Sequence, residues 1–518
     1  MDSASRLASR ATYGLDYAAI EKLAAEGETA WLERQFTLPL GLHDTVVAEL
    51  FARQAAGDFA AIEASRNNIE YAFRRVAWWQ QAVYAPDLLR QRVAFALSEI
   101  LVVSDQLDLL TVYPYALSNY YDTLLTHAFG NYRDLLRAVT LHPTMGVYLS
   151  HINNAKANPQ ENTYPDENYA REVMQLFSIG LFELNSDGSE KKDSEGRPIA
   201  TYDNDDIREF AKIFTGLSFG GDNAFFGRRA PVFQQPMQMF AAFHEPGEKH
   251  LLNGFVVPAG QSPMQDLEDA IDNLFNHPNT GPFIGKQLIQ RLVTSNPSPA
   301  YIARVSAAFN GDNTGVRGDM KAVLRAILFD PDAVADPGTD PRAGKLREPL
   351  LRALALLRQF GVNSPDGFYA NTGLLMENLL HQHPLSSPSV FNFFLPSHSP
   401  VGAIAAANMV APEFQITNSS TIVAISNLVD IVLYGDVVND LKLPPFQAAE
   451  LNLDDYIALA DDADALLTRL DTLMTYGTLS ADTRSSILRV LQELDDPAFR
   501  VSTAIYLIFT SPDYAIEL

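Results

Sequence analysis

The sequence predicts a mainly α protein: a large multi-helix body with a small β insertion around residues 219–260. Three observations carry that expectation. Apolar residues recur with a helical period along most of the chain. Residues 219–260 differ in texture, with Gly, Pro and aromatic residues alternating as in short strands. The chain has 518 residues, 47% of them hydrophobic, with 30 Phe and 20 Tyr, which is material for a sizeable core.

The elements follow in order. Residues 5–36 read as two amphipathic helices, the second with Ala30-Trp31-Leu32 and Phe36 as its apolar stripe. Residues 60–83 read as one long helix with Trp78-Trp79 near its end, and Pro86-Asp87 opens the next, 87–103. Residues 114–128 and 131–140 form a helical pair broken at Gly130. The helix over 166–181 places Tyr169, Val173, Leu176, Phe177 and Gly180 on one apolar face. Asp187-Gly188 and Glu195-Gly196 mark 183–202 as a hairpin or exposed loop. Asp203 and Asp206 have capping-box-like spacing before a helix over 204–216. In the insertion, Phe240, Phe243, Leu251, Leu252, Phe255 and Val256 read as short strands.

Helices resume at 264–276, 284–294, 298–309, 317–329 and 345–360. A loop rich in Pro, Ser and His spans 381–401, and the tail is again helical. The expected organisation is a main body over 1–411, including a small β insertion at 183–260. A C-terminal helical segment, 412–518, is expected to pack on that body.

Composition narrows the function classes. With 38 Lys+Arg against 63 Asp+Glu, the net charge is −25, a field that repels phosphate backbones and anionic lipid. Nucleic acid is therefore not an expected partner, and the charge is read as a solubility device. There are no cysteines, which excludes disulfides, thiolate metal sites and cysteine nucleophiles. Their absence leans toward an exported protein, periplasmic or secreted, that avoids stray oxidation. No signal peptide is visible, and Met1-Asp2-Ser3 leads straight into a helical pattern, as in a chain trimmed to its mature part. No membrane span is expected, because no apolar run reaches about 18 uncharged residues. The run Val93–Val103 is interrupted by Ser98 and Glu99.

The densest chemistry lies in Asn153-Asn154-Ala155-Lys156 and Asp166–Phe177. On a helix, Asn168, Glu172 and Gln175 share a flank, with Arg171 beside them. One reading makes Glu172 a general acid or base, with Asn168 and Arg171 orienting substrate. The other makes the strip an ion-pair network, since Glu167 and Arg171 have ideal i, i+4 spacing and Asp166-Glu167 suit a helix N-terminus. Glu99, set among apolar residues, must be paired, neutral or facing a cavity, and Arg92 lies two turns earlier on its face. The histidines are scattered, and His381-x-His383 precedes Pro384 in a loop, so no metal site or cofactor is expected. Phe243–Lys249 reads as a polar turn between strands. Ser387–Phe394 reads as a rigid aromatic loop with Asn392 as its one side-chain amide. No phosphate loop, Gly-x-Gly-x-x-Gly or Gly-x-Ser-x-Gly is present.

Four blocks in this order resemble the DUF1800 family of bacterial proteins of unknown function, over roughly residues 5–515. They are Leu7–Gly14, Asp166–Glu172, Gly318–Leu328, and Gly344–Pro349 with the run from Ser387 to Phe394. The resemblance implies an exported, mostly helical bacterial protein. Such proteins are often encoded beside DUF1501 proteins, which resemble sulfatases and alkaline phosphatases. It supplies no reaction. Many similar proteins have Asn-Glu-Asn where this chain has Asp166-Glu167-Asn168, and Glu in place of Gln175. Many also carry histidines where Ser98 and Ile100 stand, which weakens any histidine or metal chemistry here.

Two functions are expected. The first is an exported enzyme, of hydrolase or lyase type, acting on an extracellular polymer, most plausibly a carbohydrate. Glu172 is its primary carboxylate, with Glu99 or Glu167 as partner. Asn154, Lys156, Asn168, Arg171 and Asn392 position the substrate, and Trp78, Trp79 and Tyr169 stack on sugar rings. The alternative is a non-catalytic exported protein that binds or escorts a DUF1501-type partner. A metal or redox enzyme ranks last for want of a ligand cluster, although carboxylate-only sites for cations such as calcium stay open.

Overall fold

The computed structural model describes residues 1–63, 68–312, 314–336, 338, 340–435 and 447–518. The fold is mainly α, and its sheets are two-stranded, with strands of two residues. The chain divides into two compact units that do not follow chain order. The first joins Met1–Phe95, Gln290–Asn296 and Ala333–Leu518; the second joins Ala96–Ile289 and Pro297–Asp332.

In the first unit, residues 5–36 lie in three helices rather than two: Asp2–Ala11, Tyr17–Glu26 and Glu28–Gln35. Two glycines explain the two breaks between them. Gly14 and Gly27 have φ of +123° and +89°, a backbone that a side chain would strain. At Gly14 a Cβ would also stand 3.2 Å from the Ala355 Cα, so the turn is pressed onto the helix Pro349–Phe360. The helix expected over 60–83 is observed as Ala60–Glu63 and Glu70–Tyr84, and its residues 64–67 lie outside the described residues. In the expected helix over 345–360, Lys345–Leu346 instead forms a strand antiparallel to Ile516–Glu517, and the helix begins at Pro349, where proline suits a first turn. The tail contains the helices Ser419–Tyr434, Ala463–Leu470, Ala481–Leu491 and Pro497–Phe509; residues 436–446 of it lie outside the described residues.

The second unit is built on Pro114–His127, Tyr132–Leu141, Asn204–Ile213, Pro263–Phe275, Pro299–Asn310 and Met320–Leu328. Its core is rich in aromatics whose polar ends are satisfied. The buried Tyr132 and Tyr301 hydroxyls donate to the Phe177 and Ile327 carbonyls at 2.7 and 2.6 Å. Asp203 and Asp206 form the reciprocal capping box that their spacing predicts. Residues 182–200 pair with themselves through bridges Phe182–Ala200, Leu184–Glu190 and Lys192–Pro198, as a hairpin should.

The insertion contains less strand than its composition predicts. Leu217–Ser218 pairs with Gln238–Met239, and Lys249–His250 with Val256–Val257. Phe243 ends a short 3-10 turn, Ala241–Phe243, and Leu252 begins another, Leu252–Gly254. Most of these aromatics pack against one another rather than along a ladder: Phe226 and Phe243 stack at 3.9 Å. No helix of the described residues is long and apolar enough to cross a membrane.

Candidate functional site

The helix predicted over 166–181 runs only from Asn168 to Gln175. Asp166 starts it, its Oδ1 accepting from the Asn168 amide at 2.8 Å while its Oδ2 accepts from the Ser150 hydroxyl at 2.9 Å. It ends at Gln175 with Leu176 as its C-cap, and Gly180 closes the turn that follows: with φ +74° its amide turns back to the Met174 carbonyl, and a Cβ would strike the Phe283 ring. The apolar face is as expected, with Tyr169, Val173 and Phe177 fully buried and Leu176 half-buried.

A second segment runs beside this helix. Asn154 takes the Asp166 amide on its side-chain oxygen at 3.0 Å and donates to the Asp166 carbonyl at 3.4 Å. Its own backbone carbonyl accepts from Gly216 at 2.7 Å, and the Lys156 amide donates to the Phe243 carbonyl at 2.8 Å. Asn153, in the left-handed region at φ 58°, accepts from the Ser218 hydroxyl and the Gly227 amide. The 153–156 segment is thereby pinned, with the Lys156 side chain half-buried.

Glu172 is the unusual member of the strip. It is buried, 6% exposed, and its Oε2 is sealed without a hydrogen-bond partner among the described residues. Burial raises its pKa above the ordinary carboxylate value, and the neighbouring Arg171 guanidinium only partly opposes that shift. Two half-buried tyrosines feel its charge. Tyr148 and Tyr202 are each pushed up to about 12, first by burial and then by Glu172. The Tyr202 hydroxyl also reaches Gln175 Oε1 at 3.4 Å. The group is thus a carboxylate inclined to hold its proton, with two neutral phenols and one guanidinium in its field.

The other candidates separate clearly. Glu167 and Arg171 make the predicted i, i+4 ion pair, a loose 3.7 Å contact with both side chains 42% exposed. Asn168 is exposed and reaches Ser150 Oγ at 3.5 Å. Tyr169 is fully buried: its ring stacks on His151 at 3.9 Å, and its hydroxyl shares a 2.7 Å hydrogen bond with Thr140 Oγ1. Glu99 is buried one residue past the helix Leu88–Ser98. Arg92 is also buried and donates to the Arg291 carbonyl at 2.6 Å. Trp78, Trp79 and Asn392 are all buried and belong to the first unit, whereas Glu172 belongs to the second. Trp79 donates its indole N–H to His383 Nε2 at 3.3 Å.

Sequence reasoning missed Tyr148, Tyr202 and Ser150 as neighbours of the strip. Asp166 was visible as a helix starter. The tyrosines had no local signal, since they come from 24 residues before and 30 after Glu172 in the chain. The turn predicted at 243–249 also hides something. His244 is buried, with Nε2 3.0 Å from Asp266 Oδ2, and Lys249 Nζ stands 2.5 Å from the same oxygen. His244 Nδ1 lies 2.9 Å from the Thr215 carbonyl and 3.4 Å from Thr215 Oγ1. The set looks like a relay, but the Thr215 hydroxyl donates to the Lys212 carbonyl and the whole group is sealed. It clamps the insertion to the helix Pro263–Phe275. Among the described residues, no three His, Asp or Glu side chains are grouped to hold a metal ion.

No curated protein and no solved structure matches the chain. The family model for proteins of unknown function DUF1800 matches residues 6–516, nearly the whole chain, and the protein belongs to the DUF1800 family.

Proposed function

We propose that the protein is an exported acid/base enzyme that cleaves an extracellular carbohydrate polymer, with Glu172 as its proton donor. The observation that carries this reading is the Glu172 carboxylate itself, buried, raised in pKa and without a hydrogen bond at Oε2. A structural carboxylate in that position would be expected to hold a donor, because an unsatisfied buried acceptor costs about 1–3 kcal/mol. A buried carboxylate oxygen without a donor calls for an explanation, and a role in proton transfer supplies one.

In the proposed reaction, protonated Glu172 gives its proton to the glycosidic oxygen from Oε1, the oxygen that is not sealed, as the carbon–oxygen bond breaks. A water deprotonated by Glu167 adds at the anomeric carbon and completes the hydrolysis. The exposed Asn168 and the half-exposed Arg171 and Lys156 offer hydrogen bonds to sugar hydroxyls. Export is supported by the absence of cysteine from a chain of 518 residues.

The rival reading is a non-catalytic exported protein that binds or escorts a DUF1501-type, sulfatase-like partner, with the strip as architecture. Release of reducing ends from a panel of polysaccharides, by wild type and by Glu172→Gln, separates the two. Wild-type turnover that Glu172→Gln abolishes supports the enzyme. Turnover unchanged in Glu172→Gln ends the assignment of that residue.

A further inference from the structure

Two carboxylates of the first unit are buried beside a single ammonium. Lys345 lies on the strand Lys345–Leu346, Glu348 stands just before the helix Pro349–Phe360, and Glu413 belongs to the 3-10 turn Pro412–Gln415. Lys345 Nζ is 3.1 Å from Glu413 Oε1 and 3.9 Å from Glu348 Oε1, and none of the three side chains is more than 1% exposed. Fully ionised, the cluster would seal one excess negative charge away from water, which is costly.

The protons of Lys345 are already committed. Two go to the Gln290 and Arg291 carbonyls at 3.0 and 2.9 Å, and the third faces Glu413 Oε1. Glu348 Oε1 and Glu413 Oε2 are left sealed without a hydrogen-bond partner among the described residues. The two carboxylates are not equivalent. Glu348 Oε2 accepts from Gln382 Nε2 at 2.6 Å, and the Leu350 amide fixes that orientation by donating to Gln382 Oε1 at 3.1 Å. Glu348 also stands at a helix N-terminus, where the macrodipole favours negative charge. Glu413 has only Lys345 as a side-chain donor among the described residues. Burial pushes its carboxyl above the ordinary carboxylate value; Lys345 opposes that shift and Glu348 adds to it, and these two are the charged groups whose fields act on it.

We propose that this cluster holds one proton at neutral pH, carried by Glu413, and that its release as pH rises weakens the fold where residues 412–415 meet the strand Lys345–Leu346. With the proton in place, the charges of Lys345 and Glu348 balance, and Glu413 is a neutral acid whose Oε1 takes the remaining Lys345 proton as a hydrogen bond. Without it, a second carboxylate is buried beside the first, and Lys345 has no further proton to offer. A folded-state value above the unfolded one gives a contribution that is complete below the ordinary carboxylate range. That contribution is lost as pH rises through the folded value. The cluster is independent of the Glu172 reading.

Infrared spectra of the full chain at neutral pH, with urea unfolding at several pH values, test this on wild type, Glu413→Gln and Glu348→Gln. Wild type is expected to show a protonated-carboxyl band that Glu413→Gln lacks; any band from Glu172 is common to both. Glu348→Gln should lose the same band although Glu413 is still present, because Glu413 then ionises against Lys345. The ratio of the wild-type to the Glu413→Gln unfolding constant should rise with pH, by up to about tenfold per unit. A band of equal strength in wild type and Glu413→Gln, or one retained in Glu348→Gln, overturns the proposal, and so does a ratio that does not change with pH. If Glu413→Gln does not fold, the wild-type and Glu348→Gln spectra decide between the same outcomes.

Discussion

Asp266 and Glu172 are both buried carboxylates of the second unit, and they are treated in opposite ways. Asp266, 1% exposed, has Lys249 Nζ and His244 Nε2 within hydrogen-bond reach of one oxygen, leaving Oδ1 bare. Glu172 has an arginine in its field but no hydrogen bond at its sealed oxygen. Removing a charge from water is tolerable when an opposite charge replaces the lost hydration. The first arrangement is what a fold needs to hold a loop against a helix. The second lacks that compensation at Oε2, and the proposed role in proton transfer would account for it.

That contrast can be broken most severely at Lys249. Lys249→Met leaves Asp266 buried with only His244, and unfolding by urea should show a loss of about 3–5 kcal/mol. A loss under about 1 kcal/mol would mean that the clamp is not structural. The buried Lys345 of the first unit offers a parallel case. It stands 3.1 Å from Glu413 and donates to the Gln290 and Arg291 carbonyls at 3.0 and 2.9 Å. Lys345→Met should be as damaging as Lys249→Met.

The next effect in size concerns acid. Burial lowers His151 from 6.5 to about 4 and His142 to about 3. Depressed folded-state values mean that their contribution is complete above pH 6.5 and is lost as pH falls through 4 and 3. For His151 the loss should be on the order of 3 kcal/mol. Stability measured from pH 7 to 4 should decline, and His151→Phe, which keeps a ring against Tyr169, should flatten that slope. An unchanged slope would show that His151 does not stay neutral in the fold.

Glu172 should behave in the other direction. Its raised value means that its contribution is present below the ordinary carboxylate range and lost as pH rises through the folded value. Glu172→Gln should therefore leave the neutral-pH melting temperature unchanged or raise it, by about 1 kcal/mol equivalent at most. The smallest effect belongs to Glu167→Gln. A 3.7 Å pair between side chains 42% exposed is screened by solvent, and its loss should change stability by less than about 1 kcal/mol.

Much of the fold was legible because helical periodicity and capping are local. The Asp203–Asp206 box, the helix starts near Pro114 and Pro299, and the 182–200 hairpin all follow from neighbours in sequence. The short reach of Asn168–Gln175 did not, and the turn after it is closed at Gly180, where Phe283, distant in the chain, leaves no room for a side chain. The strands expected around Phe243 and Leu252 were over-read, since aromatic stacking can satisfy the same residues without a ladder. At the site, the Glu167–Arg171 pair and the flank of the helix could be read from spacing. Tyr148 and Tyr202 could not, and neither could the bare oxygen of Glu172, which depends on the packing of several elements.

The central claim is that Glu172 is retained for proton transfer and not for stability. The most direct test measures melting temperature and polysaccharide turnover side by side for wild type and Glu172→Gln at neutral pH. The account predicts turnover in the wild type, its loss in the variant, and a melting temperature equal to or above that of the wild type. A lower melting temperature in the variant, with no turnover by either protein, would contradict it and make the strip part of the architecture.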